Sequence, residues 1–378
     1  MNDRHLYTSV VCEAEGLIYI VDTRWEKPCI FRIDLDGKSS ELLTRIEKAD
    51  SKAPKMVFVG ATYFEGKIFF VPRFLHGINY IIIFEITTCR VRYKEIVNPN
   101  FAPYCGYESL NRIGDEWWLF PQDNQNDVVV LSLKNEELYT VSEWAEPVRL
   151  LKGTVKQMGR RINSGDSIFV DNHIYTPLVD TQYIVSFDMR SRDTQIYSLE
   201  NAVRLTFPIV YTGKDFWVSK RRNEGLVCWN PLEGVLSEID MGRYKNDRLD
   251  NYHGWYHKIL YYDKCLWILP KNDNVLLKIP EESYEMQTIK ISDFEEREDL
   301  QNRQYWVTEE RGVLRIYPCN RSWNIEVNLS GDRKSGTYHD MYQPKEWTRQ
   351  SSLLYKGYKG ILEDSLQDLI TYMKVTNN

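Results

Sequence analysis

Two segments of the chain are rich in cations, and cations bind anions. Residues 148–163, VRLLKGTVKQMGRRIN, hold five cations and no carboxylate, and residues 219–225, SKRRNEG, add three more. Arginine and lysine bind carboxylates and phosphates through charge-assisted hydrogen bonds. Like charges in a cluster repel one another unless an anion lies against them, so the two segments predict an anion-binding surface. A solvated charged face is the alternative. The candidate ligand-binding residues here are Arg160, Arg161, Arg221 and Arg222.

A long connection at residues 241–258, MGRYKNDRLDNYHGWYHK, carries four aromatic residues and two histidines. Long connections in a compact fold are often functional, and aromatic rings beside polar donors suit stacking on a sugar or a base. Its candidate residues are His253, Trp255 and His257. The alternative is a loop that packs its own rings. The two histidines have the H-x3-H spacing of zinc ligands on a helix, but they stand in a loop with no third ligand nearby. We therefore predict no metal and no cofactor.

No catalytic motif is present in the sequence. It contains no G-x-S-x-G nucleophile elbow, no phosphate-binding Walker loop and no G-x-G-x-x-G after a strand. A glycosidase would need two facing carboxylates about 5–10 Å apart, and the sequence identifies no such pair. This favours a non-enzymatic protein and leaves an enzyme as the alternative.

The elements that must position these segments follow from a repeated phrase. EGKIFFVP (65–72), GDEWWLFP (114–121), DKCLWILP (263–270) and RGVLRIYP (311–318) share one pattern, and weaker copies begin at 15, 171 and 213. A period of about 50 residues is typical of a repeat architecture. The turn residues of the seven copies are Gly16, Gly66, Asp115, Asn172, Lys214, Lys264 and Gly312.

Each copy contains four short runs of strand-forming residues separated by turns, which predicts a four-stranded antiparallel meander. Seven meanders predict an all-β, seven-bladed β-propeller over residues 1–340. Two β-sandwiches, or six blades and a separate hairpin, are the alternatives. The closing proline has no N–H to donate and suits the end of a strand.

The layout resembles the kelch-type and WD40-like β-propellers. The double glycine of kelch blades and the WD dipeptide are both absent. The resemblance therefore implies the fold and no family's functional residues. It also implies that the loops after the second strands, and the connections between blades, share one face around the central channel, where ligands usually bind.

A cation follows the second strand in five of the copies, and the repeat would arrange these cations as a ring around that face. Such a ring suits an anionic ligand. Further candidate residues in these loops are Arg24, Trp25, Arg73, His76 and Arg321.

Residues 341–378 break the repeat and form a C-terminal extension. Within it, residues 361–375 carry apolar side chains at helical spacing, which predicts an amphipathic helix. Its apolar face either packs on the rim of the propeller or binds a partner.

Composition narrows the class of protein further. A formal net charge of −6 argues against general nucleic-acid binding. The N-terminus lacks the apolar core of a signal peptide, and no apolar run is long enough to span a membrane. Seven cysteines without a C-x-x-C pair suit a reducing compartment, so we expect a cytoplasmic protein.

Two functional hypotheses follow. The first is a non-enzymatic binding module or scaffold that recognises a protein partner or an anionic or glycan ligand through the loops of one face. The second is a carbohydrate-active or other hydrolase or lyase with its active site at the mouth of the channel. The missing catalytic motifs favour the first.

Overall fold

A computed structural model shows how the chain folds. It describes residues 8–22, 28–34, 40–48, 57–73, 80–97, 107–121, 127–151, 165–199, 204–220, 225–241, 256–270, 275–290, 305–318, 323–329 and 337–340. The predicted extension 341–378, with its helix 361–375, lies outside these residues, as does any test of a domain boundary after residue 340.

The described strands form seven four-stranded antiparallel sheets, each built from four consecutive strands. Blades 1 and 2 contain β1 Thr8–Ala14, β2 Leu17–Asp22, β3 Cys29–Asp34, β4 Ser40–Arg45, β5 Val57–Phe64, β6 Lys67–Arg73, β7 Tyr80–Glu85 and β8 Arg90–Glu95. Blades 3 and 4 contain β9 Tyr107–Ile113, β10 Glu116–Pro121, β11 Val128–Ser132, β12 Leu138–Val141, β13 Ile168–Val170, β14 His173–Pro177, β15 Tyr183–Asp188 and β16 Thr194–Ser198. Blades 5 and 6 contain β17 Leu205–Tyr211, β18 Phe216–Lys220, β19 Leu226–Asn230, β20 Gly234–Ile239, β21 Tyr256–Tyr262, β22 Cys265–Pro270, β23 Val275–Pro280 and β24 Gln287–Lys290. Blade 7 contains β25 Tyr305–Glu310, β26 Val313–Pro318, β27 Trp323–Asn328 and β28 Thr337–Asp340.

The seven-bladed β-propeller predicted from the repeat is therefore confirmed, and the sandwich and six-blade alternatives are wrong. All seven predicted turn residues lie between the first and second strands of their blades. Gly16, Gly66 and Gly312 adopt φ of +73°, +73° and +78° there, a backbone conformation that glycine enters without a steric penalty. A short helix, α1 Ala145–Leu150, connects blades 3 and 4. Over the described residues, no helix is long and apolar enough to cross a membrane.

The second and third strands of every blade form the core. In each blade the second residue of the second strand pairs with a third-strand residue, and both are buried and apolar because each sheet packs between two neighbours. These pairs are Ile18–Ile33, Ile68–Phe84, Trp117–Leu131, Ile174–Phe187, Trp217–Cys228, Leu266–Ile279 and Leu314–Val327.

The first strands of neighbouring blades contact one another along the series β1, β5, β9, β13, β17 and β21, so they surround the central channel. We call the side with the turns between first and second strands the bottom face. The opposite side, where the second strands end, is the top face.

Over the described strands, the ring closes without one that is shared, because blade 1 uses only N-terminal strands and blade 7 only C-terminal ones. A carboxylate of blade 1 bridges the two blades instead. Glu13 accepts hydrogen bonds from the Thr308 hydroxyl at 2.6 Å, from Arg315 at 2.8 Å and from the Tyr317 hydroxyl. We call these four side chains the closure cluster.

A second ion-pair network joins blades 2 and 3 at the bottom face. Arg92 forms two parallel hydrogen bonds to Glu136, at 2.6 and 2.8 Å, and a third at 2.9 Å to Glu85. Lys67 donates to Glu136 at 2.7 Å. The hydrogen bonds from Arg92, and next those from Lys67, lower the pKa of Glu136 from 4.5 to about 2, although partial burial opposes them. Glu136 therefore stays ionised well below the usual range of a carboxylic acid.

This network predicts a pH-dependent contribution to stability. A carboxyl group whose folded-state pKa is lowered stabilises the fold above its unfolded pKa, and the contribution is lost as the pH falls toward the folded value. We expect Glu136→Gln to lower the free energy of unfolding by up to about 3 kcal/mol near pH 7. The difference from the unmodified protein should shrink from pH 4.5 downward and vanish near pH 2. Urea unfolding at several pH values would measure it. A difference that does not change with pH would contradict the assignment.

Candidate functional site

The predicted binding residues are described at two positions. Arg73 is the last residue of β6, and His257 is the second residue of β21, so both occupy the top ends of strands, on blades 2 and 6. His257 belongs to a strand and not to the long loop, because β21 already begins at Tyr256. The remaining candidates lie outside the described residues: Arg24, Trp25, His76, Arg160, Arg161, Arg221, Arg222, His253, Trp255 and Arg321.

The two cation-rich segments attach to neighbouring points of the top face. After the first segment, 148–163, the described chain continues at Gly165. The Gly165 N–H donates to the Pro177 carbonyl at 2.8 Å. The next residue, Asp166, donates its N–H to the Phe207 carbonyl of blade 5 at 2.9 Å. The end of this connection is thereby fixed to the first strand of the next blade.

The second segment departs from the same place. Leu205, near Phe207 on β17, pairs with Lys220, the last residue of β18. Lys220 then donates its N–H to the Gly225 carbonyl at 2.9 Å, which closes the connection 221–224 at its base. A continuous series of backbone contacts thus joins the end of one cation-rich segment to the start of the other. We call this region the blade 4–5 junction, and it comprises residues 165–166, 177–181, 205–207, 220 and 225.

Acidic partners face two of the cations that the sequence left unpaired. Lys220 contacts Glu238 of the outer strand at 2.7 Å, and Arg149 of α1 contacts the buried Asp127 at 3.2 Å. Lys220 and Arg149 are therefore paired with carboxylates, because the fold brings in acids that lie outside their own segments of the sequence. The positive charge that remains as a candidate is that of Arg160, Arg161, Arg221 and Arg222.

An ion pair beside the junction joins blades 4 and 6. The Lys258 ammonium lies 3.5 Å from the Asp166 carboxylate. Lys258 belongs to the first strand of blade 6, and Asp166 precedes the first strand of blade 4. Because blade 5 lies between blades 4 and 6, the contact joins two blades that are not neighbours. Both side chains are half-buried.

Two buried hydroxyl groups lie at the top ends of the inner strands of blade 5. Thr206 and Ser219 are 2% and 0% exposed, and neither hydroxyl has a hydrogen-bond partner among the residues that the structure describes. Buried polar groups are rarely left unpaired, so such groups are candidates for contacts with a polar ligand or an ordered water.

Asp166, Lys258, Thr206 and Ser219 were all missed by the sequence analysis. Ser219 did carry a signal, because the corresponding position of most other blades is a large apolar residue, such as Val71 or Leu269.

The described carboxylates give little support for a role in acid–base catalysis. Those whose pKa is shifted are all shifted downward, and in each the largest cause is a hydrogen bond to the carboxylate; they are Glu85, Glu136, Glu143 and Asp188. A general acid near neutral pH requires the opposite shift. Over the described ranges, no three histidine, cysteine, aspartate or glutamate side chains converge as a metal site would require.

Comparison with known proteins identifies the fold of the chain and nothing beyond it. No protein-family model matches the chain, and no curated protein matches it. Among solved structures, virginiamycin B lyase from Staphylococcus aureus is similar at 11% identity and a TM-score of 0.57, over 85% of this chain and 94% of that one. YCF48 from Cyanidioschyzon merolae is similar at 8% identity and 0.57, over 84% and 94%. Sqt1 from Saccharomyces cerevisiae is similar at 7% identity and 0.57, over 89% and 86%.

At such identities the likeness shows the architecture alone. The chain is a seven-bladed β-propeller, an architecture that it shares with a lyase and with WD40 proteins.

Proposed function

We propose that this propeller is a non-enzymatic binding module that recognises an anionic ligand, either an acidic sugar or an acidic protein surface, through its top face. The proposal rests on the blade 4–5 junction. Backbone contacts there hold Gly165 and Lys220 in place, and these two residues lie at the ends of the two cation-rich segments. An anion at this position would offset the repulsion among Arg160, Arg161, Arg221 and Arg222.

The compartment that we propose is the cytoplasm. None of the described cysteines forms a disulfide; they are Cys12, Cys29, Cys89, Cys228 and Cys265. Burial raises the pKa of Cys12 and of Cys29 to about 12, so both remain protonated and unreactive. Buried cysteines that form no disulfide are typical of proteins that fold in a reducing environment.

A hydrolase or lyase is the second candidate. It is supported by the position of His257, which lies at the top of β21 and directly precedes Lys258, a member of the ion pair with Asp166. Histidine is the side chain that most often transfers protons in catalysis.

Replacing Arg160, Arg161, Arg221 and Arg222 with alanine tests the proposal. The probes are immobilised polyglucuronate, heparin and polyglutamate, with neutral dextran as the blank. We expect the unmodified protein to bind at least one polyanion, with an affinity that falls steeply as salt is added. The quadruple variant should bind about tenfold or more weakly, because it loses four charge-assisted contacts.

The matched control is a second quadruple variant, with alanine at Lys134, Arg190, Lys264 and Arg311. These residues are exposed cations of turns away from the top face, and their removal changes the net charge equally. Equal losses of polyanion affinity in both variants would show that binding depends only on the net charge of the protein, and would contradict the proposal. Breakdown of a polysaccharide probe that stops in His257→Ala would instead establish the enzyme.

A further inference from the structure

One level of the inner strands, near the top face, is polar in blades 3 to 6. In four blades this level is marked by the inner-strand residue that pairs with the fifth residue after the turn. These pairs are Val10–Val21, Gly60–Val71, Ser109–Phe120 and Lys258–Leu269. At this level blades 1 and 2 carry no polar side chain, whereas blade 3 carries a hydroxyl group and blade 6 carries an ammonium group.

Hydrogen bonds and an ion pair join this level across four successive blades. The Ser167 N–H, just before the first strand of blade 4, donates to the Ser109 hydroxyl at 2.7 Å, and the two hydroxyl groups bond to each other. The neighbouring Asp166 donates its N–H to the Phe207 carbonyl of blade 5 at 2.9 Å. Its carboxylate lies 3.5 Å from the Lys258 ammonium of blade 6. The polar groups of blades 3 to 6 therefore form one connected series.

Two hydroxyl groups of blade 5 belong to the same level. Leu205 pairs with Lys220, and the next residues inward on the two strands are Thr206 and Ser219. Leu205 and Val218 both pack in the apolar cluster between blades 4 and 5. Because successive side chains of a strand point to opposite faces, Thr206 and Ser219 face blade 6. We call the following residues the polar arc: Ser109, Asp166, Ser167, Thr206, Ser219 and Lys258.

Ser219 is an exception to the repeat. It is the fifth residue after its turn, and the other blades carry larger residues there: Val21, Val71, Phe120, Pro177, Leu269 and Tyr317. Within the described part of the chain, the hydroxyl groups of Ser219 and Thr206 have no hydrogen-bond partner. Buried groups of this kind weaken a fold unless a ligand or a water pairs with them. Each lies one residue from the top end of its strand, on the side from which a top-face ligand would approach.

The polar arc presents donors and acceptors together. Its hydroxyl groups both donate and accept hydrogen bonds, the Asp166 carboxylate accepts, and the Lys258 ammonium donates. The opposite charges of Asp166 and Lys258 cancel. The hydroxyl groups of a sugar ring also donate and accept, so they match this set. The carboxylates of an acidic protein surface only accept, and Asp166 would repel them.

We propose that the polar arc binds the ring hydroxyl groups of a sugar, so that the ligand of the top face is an acidic sugar and not an acidic protein surface. Sugar hydroxyl groups would supply the missing partners of Thr206 and Ser219. The inference rests on the proposed function, because the arginines of the two cation-rich segments would bind the carboxylate of the same sugar.

Competition between polyglucuronate and polyglutamate for the full-length protein tests the inference. Both polymers carry carboxylates, but only polyglucuronate carries ring hydroxyl groups. We expect polyglucuronate to bind about tenfold more tightly at equal carboxylate concentration, as two additional hydrogen bonds would provide. Thr206→Val combined with Ser219→Ala removes two hydroxyl groups and changes no charge. This double variant should lose the preference and bind polyglutamate as tightly as before.

Ser186→Ala is the matched control, because Ser186 is also buried, at 2% exposure, but lies on the third strand of blade 4, outside the polar arc. It should leave the preference unchanged. In urea unfolding, the double variant should be at least as stable as the unmodified protein, since it removes two unpaired polar groups from the interior. A less stable double variant would show that the hydroxyl groups serve the fold and would overturn the inference.

The two proposals can be distinguished by their failures. Equal affinities of the unmodified protein for the two polymers, or a preference that the double variant keeps, would overturn this inference and leave the top-face proposal standing. No binding of either polymer would overturn both.

Discussion

Replacing Gly225 with alanine should destabilise the protein by about 3 kcal/mol or more. Gly225 adopts φ +130°, and a Cβ atom on it would lie 1.9 Å from the Ile239 carbonyl oxygen and 3.0 Å from its carbon. Both contacts are with backbone, so no side chain can rotate away to relieve them. The third and fourth strands of blade 5 would have to separate where Leu226 pairs with Ile239.

Gly213→Ala provides the matched control within the same blade. Gly213 also has a positive φ, +92°, but a Cβ there would meet no heavy atom within 4 Å. It should cost only about 1 kcal/mol, the conformational penalty without the clash. Urea unfolding measures both. Equal losses would show that the clash at Gly225 relaxes and that the base of this connection is not fixed.

Gly225 also lies at the proposed site. The Gly225 carbonyl accepts the Lys220 N–H that closes the connection containing Arg221 and Arg222. If the Gly225→Ala variant remains folded, we expect weaker binding of polyanions, although the arginines are still present. Position as well as charge would then be needed for binding.

The fold was predictable because its information is local and repeated. Seven copies of one phrase placed turns at Gly16, Gly66 and five corresponding positions, and every copy became the same pair of strands. The apolar residues of the phrase are buried on both faces because each blade packs between two others. A pattern of this kind survives the loss of family motifs such as the kelch double glycine.

The ion pairs of the candidate site were not predictable, because they join residues that the ring alone brings together. Asp166 and Lys258 belong to blades 4 and 6, and their contact depends on the angle between those blades. Lys220 and Glu238 meet across the width of one blade. The number of cations in a segment reveals nothing about these partners, so the sequence overestimated the free positive charge.

The exposure of two apolar residues on β20, Val235 and Leu236, was missed for a different reason. Val235 and Leu236 belong to a strand, and an apolar strand residue is normally assigned to the core. In a propeller the outer strand has a neighbour on one side only, and its first residues lie beyond the packed region. The burial of an apolar residue therefore depends on the position of its strand within the blade. The repeat pattern does not show this for each residue.

Opening the ring between blades 1 and 7 should follow from Glu13→Gln. All three partners of Glu13 in the closure cluster donate hydrogen bonds, so a glutamine amide would place its own NH2 group against a donor. Burial, and then the charge of Glu13, raise the pKa of Tyr317, so its hydroxyl remains a donor at any ordinary pH. We expect a loss of about 3 kcal/mol, since hydrogen bonds to charged groups contribute about 1.5–3 kcal/mol each and do not add fully.

Glu326→Gln is the matched control, because it removes an ion pair of Arg315 without removing the contact between blades 1 and 7. Glu326 contacts the same guanidinium, that of Arg315, at 3.0 Å, but it lies within blade 7. Its side chain is 38% exposed, so its removal should cost less than about 1 kcal/mol. Hydrogen exchange should accelerate in β1 and β26 for Glu13→Gln and remain unchanged in β1 for Glu326→Gln. Because no described strand is shared between the first and last blades, we expect the hydrogen bonds of this carboxylate to contribute to holding them together. Unchanged exchange in β1 of Glu13→Gln would show that apolar packing alone closes the ring.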